Sequence, residues 1–407
     1  MIKMNRKQCF IIGTSIILTL MMGGCSNKAT SYYKSAQELY KKGNYEEAAA
    51  KYEKAIKQKD DNADYYINYG FCLVSLGEYE KAKENFERAI LDKKNTIVNK
   101  NNKKAYRGLG ILSYTKGDYG EAIEQFEKAL TIDSLNEYDQ DIISYIGNAN
   151  YALGDYETAI SNYTEVLKSD EKNQSVLCSR GQAYVQLEQY EESIKDFMAA
   201  KKLAPNDFDI YFSLYQMYEA QNDTENAEKI LNEAANLKVN DLNDQFALAK
   251  VHYYQGNLEQ AFDEFESLSK EGFVESNLFM GDIYYSEGNY AKACTYYEEY
   301  LASGATFQAN YYSRLITCYI ETENYAKAKT VMKEALSKDS NSSSKDLLKN
   351  EIILYECLGN YKTAYKKAKA FVKNYPDDED AKKELEFLKT RQSKDESKDD
   401  TNKIEKP

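Results

Sequence analysis

"GNYEEAAAKYEKAI" occupies residues 43–56. It reads as a turn followed by a helix whose Ala48, Tyr52 and Ala55 recur at helical intervals along one face. The same register returns in "LGEYEKAKENFERAI" at 76–90 and in "KGDYGEAIEQFEKAL" at 116–130. Alignment on the turn gives ten copies, with turn positions at Gly43, Gly77, Gly117, Gly154, Glu188, Asn222, Gly256, Gly288, Glu323 and Gly359, spaced 32 to 40 residues apart. Two residues after the turn, eight copies carry tyrosine; five residues after it, nine carry alanine and the tenth carries Ser193. A register kept this closely is the mark of a repeated structural unit.

One copy can be read physically. The turn glycine can adopt the left-handed conformation that ends a helix. Asn44, Asp118 and Asn257 then stand where the next helix is capped, with Glu47, Glu121 and Gln260 three residues on as capping-box partners. Seven residues before the turn stand Ala36, Gly70, Gly110, Gly147, Gly181, Ala249 and Gly281. Small residues there, opposite the alanine of the second helix, let two backbones approach. Nine residues after the turn, Tyr52, Phe86, Phe126, Tyr163, Phe197, Phe265 and Tyr297 are expected to fill the groove towards the next copy. No single helix pair buries such a face, so the copies must stack. The chain holds three prolines in 407 residues, and the long proline-free stretches favour helix throughout.

These repeats resemble the tetratricopeptide repeat (TPR), a 34-residue helix–turn–helix. The resemblance implies an all-α fold: a right-handed superhelical solenoid of about ten TPR repeats over residues 32–376. Departures from the family pattern exist. Tryptophan is absent, with Tyr32, Tyr66, Tyr106, Tyr211 and Tyr312 in its place. Ile316 and Ile352 replace the small residue, and closing prolines survive only as Pro205 and Pro376. Residues 377–391 read as a C-terminal capping helix. Residues 392–407, "QSKDESKDDTNKIEKP", are highly charged and read as a disordered tail.

The N-terminus reads as an address. Residues 1–8 are basic, 10–22 are apolar, and "GGC" follows at 23–25. A charged start, a short apolar core and small residues are the order of a secretory signal. Cys25 after two glycines makes residues 1–24 resemble a bacterial lipoprotein signal peptide. That resemblance implies lipidation of Cys25, a short spacer over 25–31 and a chain facing outside the cytoplasm, anchored in the cell envelope. Met22, where leucine is usual, is a departure, and an uncleaved signal anchor is the alternative. Of the remaining cysteines, Cys294 and Cys318 fall on successive helices and could approach each other.

The net charge is −13 and becomes more negative without the basic leader, which argues against nucleic-acid binding. There is one histidine, His252. Without HExxH, GxSxG, P-loop or GxGxxG motifs around it, it suits packing better than catalysis, and an enzyme centred on it is the weakest reading. No cofactor or metal is expected. What remains is a surface. In the TPR family the inner wall is built by the first helix of each pair, which implies Tyr33, Tyr40, Phe71, Tyr114, Tyr151, Phe212, Phe246, Tyr253, Tyr254 and Tyr285 on or near it. Tyrosine offers flat apolar area with a polar tip, suited to binding, and it also serves as core filler. The family's carboxylate clamp does not carry over: Lys104 and Arg107 are present, but Ile67 and Phe71 replace its polar groups. The insertion at 91–108 holds Lys93, Lys94, Lys100, Lys103, Lys104 and Arg107; it reads either as a basic patch for anionic partners or as a solvated loop. The expected function is an interaction scaffold for a protein or peptide, with glycan or cell-wall fragments as the alternative ligand.

Overall fold

The computed structural model describes residues 28–93, 95–304, 308–338 and 344–401. The signal segment, Cys25, Lys94 and residues 402–407 lie outside the described residues. The described elements are 21 α-helices and one 3-10 turn at Asn136–Tyr138, with no strand among them. They form the all-helical stack of hairpins that the repeats demand.

The chain divides into two compact units, meeting in sequence at Leu203 and Ala204. The first contains the pairs α1 (Lys28–Lys41) and α2 (Tyr45–Gln58), α3 (Ala63–Leu76) and α4 (Tyr79–Ala89), and α5 (Thr96–Lys116) and α6 (Tyr119–Leu130), followed by α7 (Asp139–Leu153) and α8 (Tyr156–Ser169), and by α9 (Gln174–Gln186) and α10 (Tyr190–Leu203). The second contains α11 (Phe208–Ala220) and α12 (Thr224–Ala234), α13 (Leu242–Tyr254) and α14 (Leu258–Lys270), and α15 (Ser276–Ser286) and α16 (Tyr290–Ala302). It continues with α17 (Ala309–Glu321) and α18 (Tyr325–Leu336), then α19 (Lys345–Cys357) and α20 (Tyr361–Asn374), and closes on α21 (Glu379–Thr401). The last helix therefore continues past residue 391, where the charge pattern suggested that a disordered tail begins. The spacer is also shorter than expected: α1 starts at Lys28, and Ala29 is buried against Ala55 and Tyr65.

The turn inside each pair is built from backbone. Gly43 has φ of 80°, its N–H donates to Tyr40 O at 3.0 Å, and the Asn44 N–H donates to Leu39 O at 3.0 Å. This pair of bonds is the Schellman closure, which satisfies carbonyls that a helix end leaves without partners. It recurs without glycine: Glu188, Asn222 and Glu323 take φ of 57°, 57° and 56°, and the following N–H still reaches back, as Asn324 does to Tyr319 O at 2.7 Å. The stacking requires the turn strongly enough to hold a side chain in a conformation that glycine prefers.

The expected side-chain caps need correction. Asn44, Asp118 and Asn257 make no capping bond with their side chains. Capping of this kind occurs in other copies, by Asp155, Asp223, Asn289, Asn324 and Asn360. Because the turn already fixes the chain entering the second helix, the cap is optional.

Packing inside a pair adds a partner to the expected pairing of small residue with alanine. The aromatic nine residues after the turn lies on the small residue of its own copy. A Cβ added at Gly110 would stand 2.6 Å from the Phe126 ring, and one at Gly281 would stand 2.6 Å from Tyr297. The rings of Tyr52, Phe86, Phe126, Tyr163, Phe197, Phe265 and Tyr297 are all essentially buried. Ser193, the exception to alanine, is buried too, and its hydroxyl donates to Gly181 O at 2.9 Å.

Candidate binding faces of the first helices

In the first unit, a polar ladder joins successive first helices. Asn68 Nδ2 on α3 donates to Tyr33 Oη on α1 at 2.9 Å, and Gln37 Nε2 donates to the same oxygen at 3.1 Å. The hydroxyls of Tyr40 and Ser75 lie 3.3 Å apart. Lys104 Nζ on α5 meets Asp64 Oδ1 on α3 at 2.9 Å, and Arg107 Nε meets Asp141 Oδ2 on α7 at 2.6 Å. Apart from the Gln37 bond within α1, each link spans one repeat, so equivalent faces of neighbouring first helices are tied together. Tyr33, Tyr40 and Phe71 are half-buried against the core of α1–α5, and Tyr114 against that of α5–α7. Burial raises the titration of Tyr33, Tyr40 and Tyr151, so these phenols remain protonated donors at neutral pH.

The basic insertion is therefore not a free patch. Residues from Thr96 onward form the extended first turns of α5, started by Asn95, whose side chain accepts from the N–H of Ile97 and Val98. The Asn102 amide fastens the preceding strand of chain by exchanging two hydrogen bonds with Leu91, at 3.0 and 2.8 Å. Lys103 is 1% exposed, pairs with Asp139 at 2.5 Å and donates to Ile132 O at 3.1 Å. Lys104 and Arg107 are committed to Asp64 and Asp141, which also removes the two cations a carboxylate clamp would use. Lys93 and Lys100 remain exposed.

The second unit gathers aromatic residues and cations on its first helices. Phe246 packs against Phe265, Phe273 and Phe279 at 4.6 to 5.7 Å between ring centroids. Tyr253 and Tyr254 meet edge to face at 5.4 Å, and Tyr254 also meets Phe212 at 5.9 Å and Tyr215 at 5.2 Å. The Lys250 ammonium lies 4.0 Å from the Phe212 ring centroid, a cation–π contact. Among the described residues no carboxylate lies within ion-pairing distance of it, and burial lowers its affinity for a proton. Further along the same unit, Arg314 on α17 pairs with Asp282 on α15, which accepts from Tyr297 Oη at 2.5 Å. The guanidinium also stands 6.0 Å from the Tyr285 ring and 5.7 Å from Tyr311. Burial first, then the Asp282 charge, pushes Tyr253 up to about 12 and raises Tyr254 and Tyr311 as well.

Of the ten aromatic positions read from sequence, Phe212 is buried and Tyr33, Tyr40, Phe71, Tyr114, Phe246, Tyr253 and Tyr285 pack partly against the core. Phe212 is 7% exposed, whereas Tyr254 is 37% exposed and is the large apolar side chain of this set most open to solvent. Sequence reasoning missed Asn68, Asp64, Lys250, Asp282, Tyr311 and Arg314. Lys250 was within reach, since it stands one turn before Tyr254 on the same helix face. His252 is tied to the second helix of its own pair, with Nδ1 2.7 Å from Glu264 Oε2. No group of acidic, histidine or cysteine side chains among the described residues could hold a metal ion, and no described helix is long and apolar enough to cross a membrane.

Turns, small-residue seats and tied first helices define a chain of helical-hairpin repeats. Tetratricopeptide repeats are detected in parts of it: family models described as tetratricopeptide or TPR repeat match residues 36–73, 61–134 and 246–306. Residues 141–274 match a model described as intraflagellar transport protein 56. The chain is 34% identical over 108 residues to the small glutamine-rich tetratricopeptide repeat-containing protein 2 of Saccharomyces cerevisiae, covering 25% of this chain and 30% of that protein. It is 26% identical over 169 residues to the Hsp70-Hsp90 organizing protein of Triticum aestivum, covering 35% and 29% respectively. The matches therefore span about a third or less of these relatives' length. Similar solved structures include a tetratricopeptide repeat protein from Parabacteroides merdae (20% identity, TM-score 0.49, 61% of this chain and 98% of that one). Another is YrrB, a TPR protein with an unusual peptide-binding site (23% identity, TM-score 0.37, 45% and 90%).

Proposed function

We propose that this protein is an interaction scaffold that binds an extended segment of another protein along the first helices of its second unit. The observation that carries this reading is the juxtaposition of exposed Tyr254 with Phe212, Tyr215 and a Lys250 ammonium that has Asp209 within electrostatic reach but no carboxylate at ion-pairing distance among the described residues. Flat protonated phenols supply contact area and donors at small entropic cost, and the cation attracts acidic side chains. Detected repeats of a class whose members here include an Hsp70-Hsp90 organizing protein support the reading. The order of residues 1–25 supports attachment through a lipidated Cys25, with the repeats outside the cytoplasm.

The test selects a phage-displayed random peptide library on the full chain and measures the enriched peptides against Tyr254→Ala and Lys250→Ala. Peptides that lose at least tenfold in affinity to both variants support the proposal, a change of about 1.4 kcal/mol. Equal affinity for wild type and variants would place binding elsewhere, and retention on polysaccharide without peptide enrichment would favour a glycan ligand.

A further inference from the structure

We propose that Cys294 and Cys318 form a redox-reversible disulfide that staples α16 to α17. The two residues come from adjacent helices of successive repeats and belong to one buried cluster. Their thiols lie within hydrogen-bonding reach of each other, and the Thr322 side chain lies within reach of Cys294. Thr322 in turn donates to the backbone Cys318 O at 2.7 Å, which fixes its side chain beside the pair. The other described cysteines, Cys72, Cys178 and Cys357, sit on α3, α9 and α19.

The two thiols differ in solvent access. Cys294 is 8% exposed and Cys318 is fully buried, so a small oxidant reaches Cys294 first. The hydrogen bond from Cys318 holds the Cys294 thiol below its ordinary range, and the Lys327 ammonium acts in the same direction, against burial and the Glu298 charge. Cys318 is raised by the same hydrogen bond, by burial and by Asp282. Glu298 is itself engaged by Lys327 at 2.6 Å and by Tyr319 Oη at 2.6 Å, which limits its effect on the thiol.

The chemistry balances with a small disulfide as oxidant. The Cys294 thiolate attacks one sulfur of the oxidant, forming a mixed disulfide and releasing one thiolate, which takes the Cys318 proton. The Cys318 sulfur then attacks Cys294 Sγ and expels the second thiolate. Two protein thiols become one disulfide, and one small disulfide becomes two thiols. The bond would fix the step between two repeats beside Asp282 and Tyr285, both of which lie within electrostatic reach of Cys318.

The experiment incubates the full chain with oxidised glutathione, alkylates free thiols and maps the peptides. The expected product is a Cys294–Cys318 linked peptide that reverts with dithiothreitol. In Cys318→Ser the reaction should stop with glutathione on Cys294, and in Cys294→Ser neither product should form. An absent linked peptide in the wild-type chain, or glutathione accumulating on Cys294 with Cys318 still free, would overturn the proposal. The wild-type map decides this even where a variant folds poorly.

Discussion

At the residue scale, the ten turns show what the repeats demand most. The Schellman closure forms at Glu188, Asn222 and Glu323 as it does at glycine, so these three positions hold strain that glycine would relieve. Glu323→Gly should therefore stabilise the second unit by about 1 kcal/mol, and Gly117→Ala should cost the first unit a similar amount, both read from urea melts. Turn positions were legible because glycine and the following tyrosine recur in register. Capping was less so: Asn44 and Asp155 look alike in sequence, yet only Asp155 accepts from the backbone, at 3.0 Å from Thr158 N. Their backbone angles are nearly the same, with φ of −85° at both and ψ of 70° and 76°, and nothing in the local sequence records the difference. The small residue before the turn announced close packing but not the aromatic ring that lies on it.

At the element scale, α5 and α21 carry the lessons. Six basic residues near residue 100 read as one feature, but the helix period sends Lys103 into the core while Lys93 and Lys100 stay in solvent. Lys103→Ala should destabilise the first unit by roughly 3 kcal/mol because it leaves Asp139 without its buried partner. Lys100→Ala should change the same urea melt by less than about 0.5 kcal/mol. A free, solvated role for Lys103 would make the two variants equivalent. At the other end, the carboxyls of Glu356 on α19 and Glu384 on α21 are close neighbours with buried oxygens, and burial followed by the Glu384 charge pushes the Glu356 carboxyl up to about 7. The folded state thus keeps a proton that the unfolded chain releases near its ordinary pKa of 4.5. Stability is fully present below that value, declines as pH rises through about 7 and is flat beyond, by on the order of 1 kcal/mol after solvent screening. Glu356→Gln should abolish this decline in melts compared between about pH 5 and about pH 8. A slope unchanged in the variant would assign the titration to other groups.

At the scale of the whole molecule, repetition made the helical-hairpin fold readable almost from end to end, while function resides in what the copies do not share. Consensus positions specify stacking and leave the exposed positions of the first helices free to vary. That is why Tyr254 and Lys250 are visible as individuals only once Phe212 and Tyr215 are placed beside them. Division of the chain after Leu203 carried little warning beyond Pro205, since the register continues across it. If Cys25 anchors the chain, Cys25→Ala should abolish incorporation of labelled fatty acid and leave the leader uncleaved. Normal processing in that variant would sink the anchoring proposal.

The most direct measurement places a photo-crosslinking amino acid at position 254, and separately at exposed position 229 on α12, in otherwise unaltered chains expressed in cells. If the first helices of the second unit bind a protein, position 254 should capture a discrete partner and position 229 should not. Capture from position 229 with none from position 254 would contradict the account.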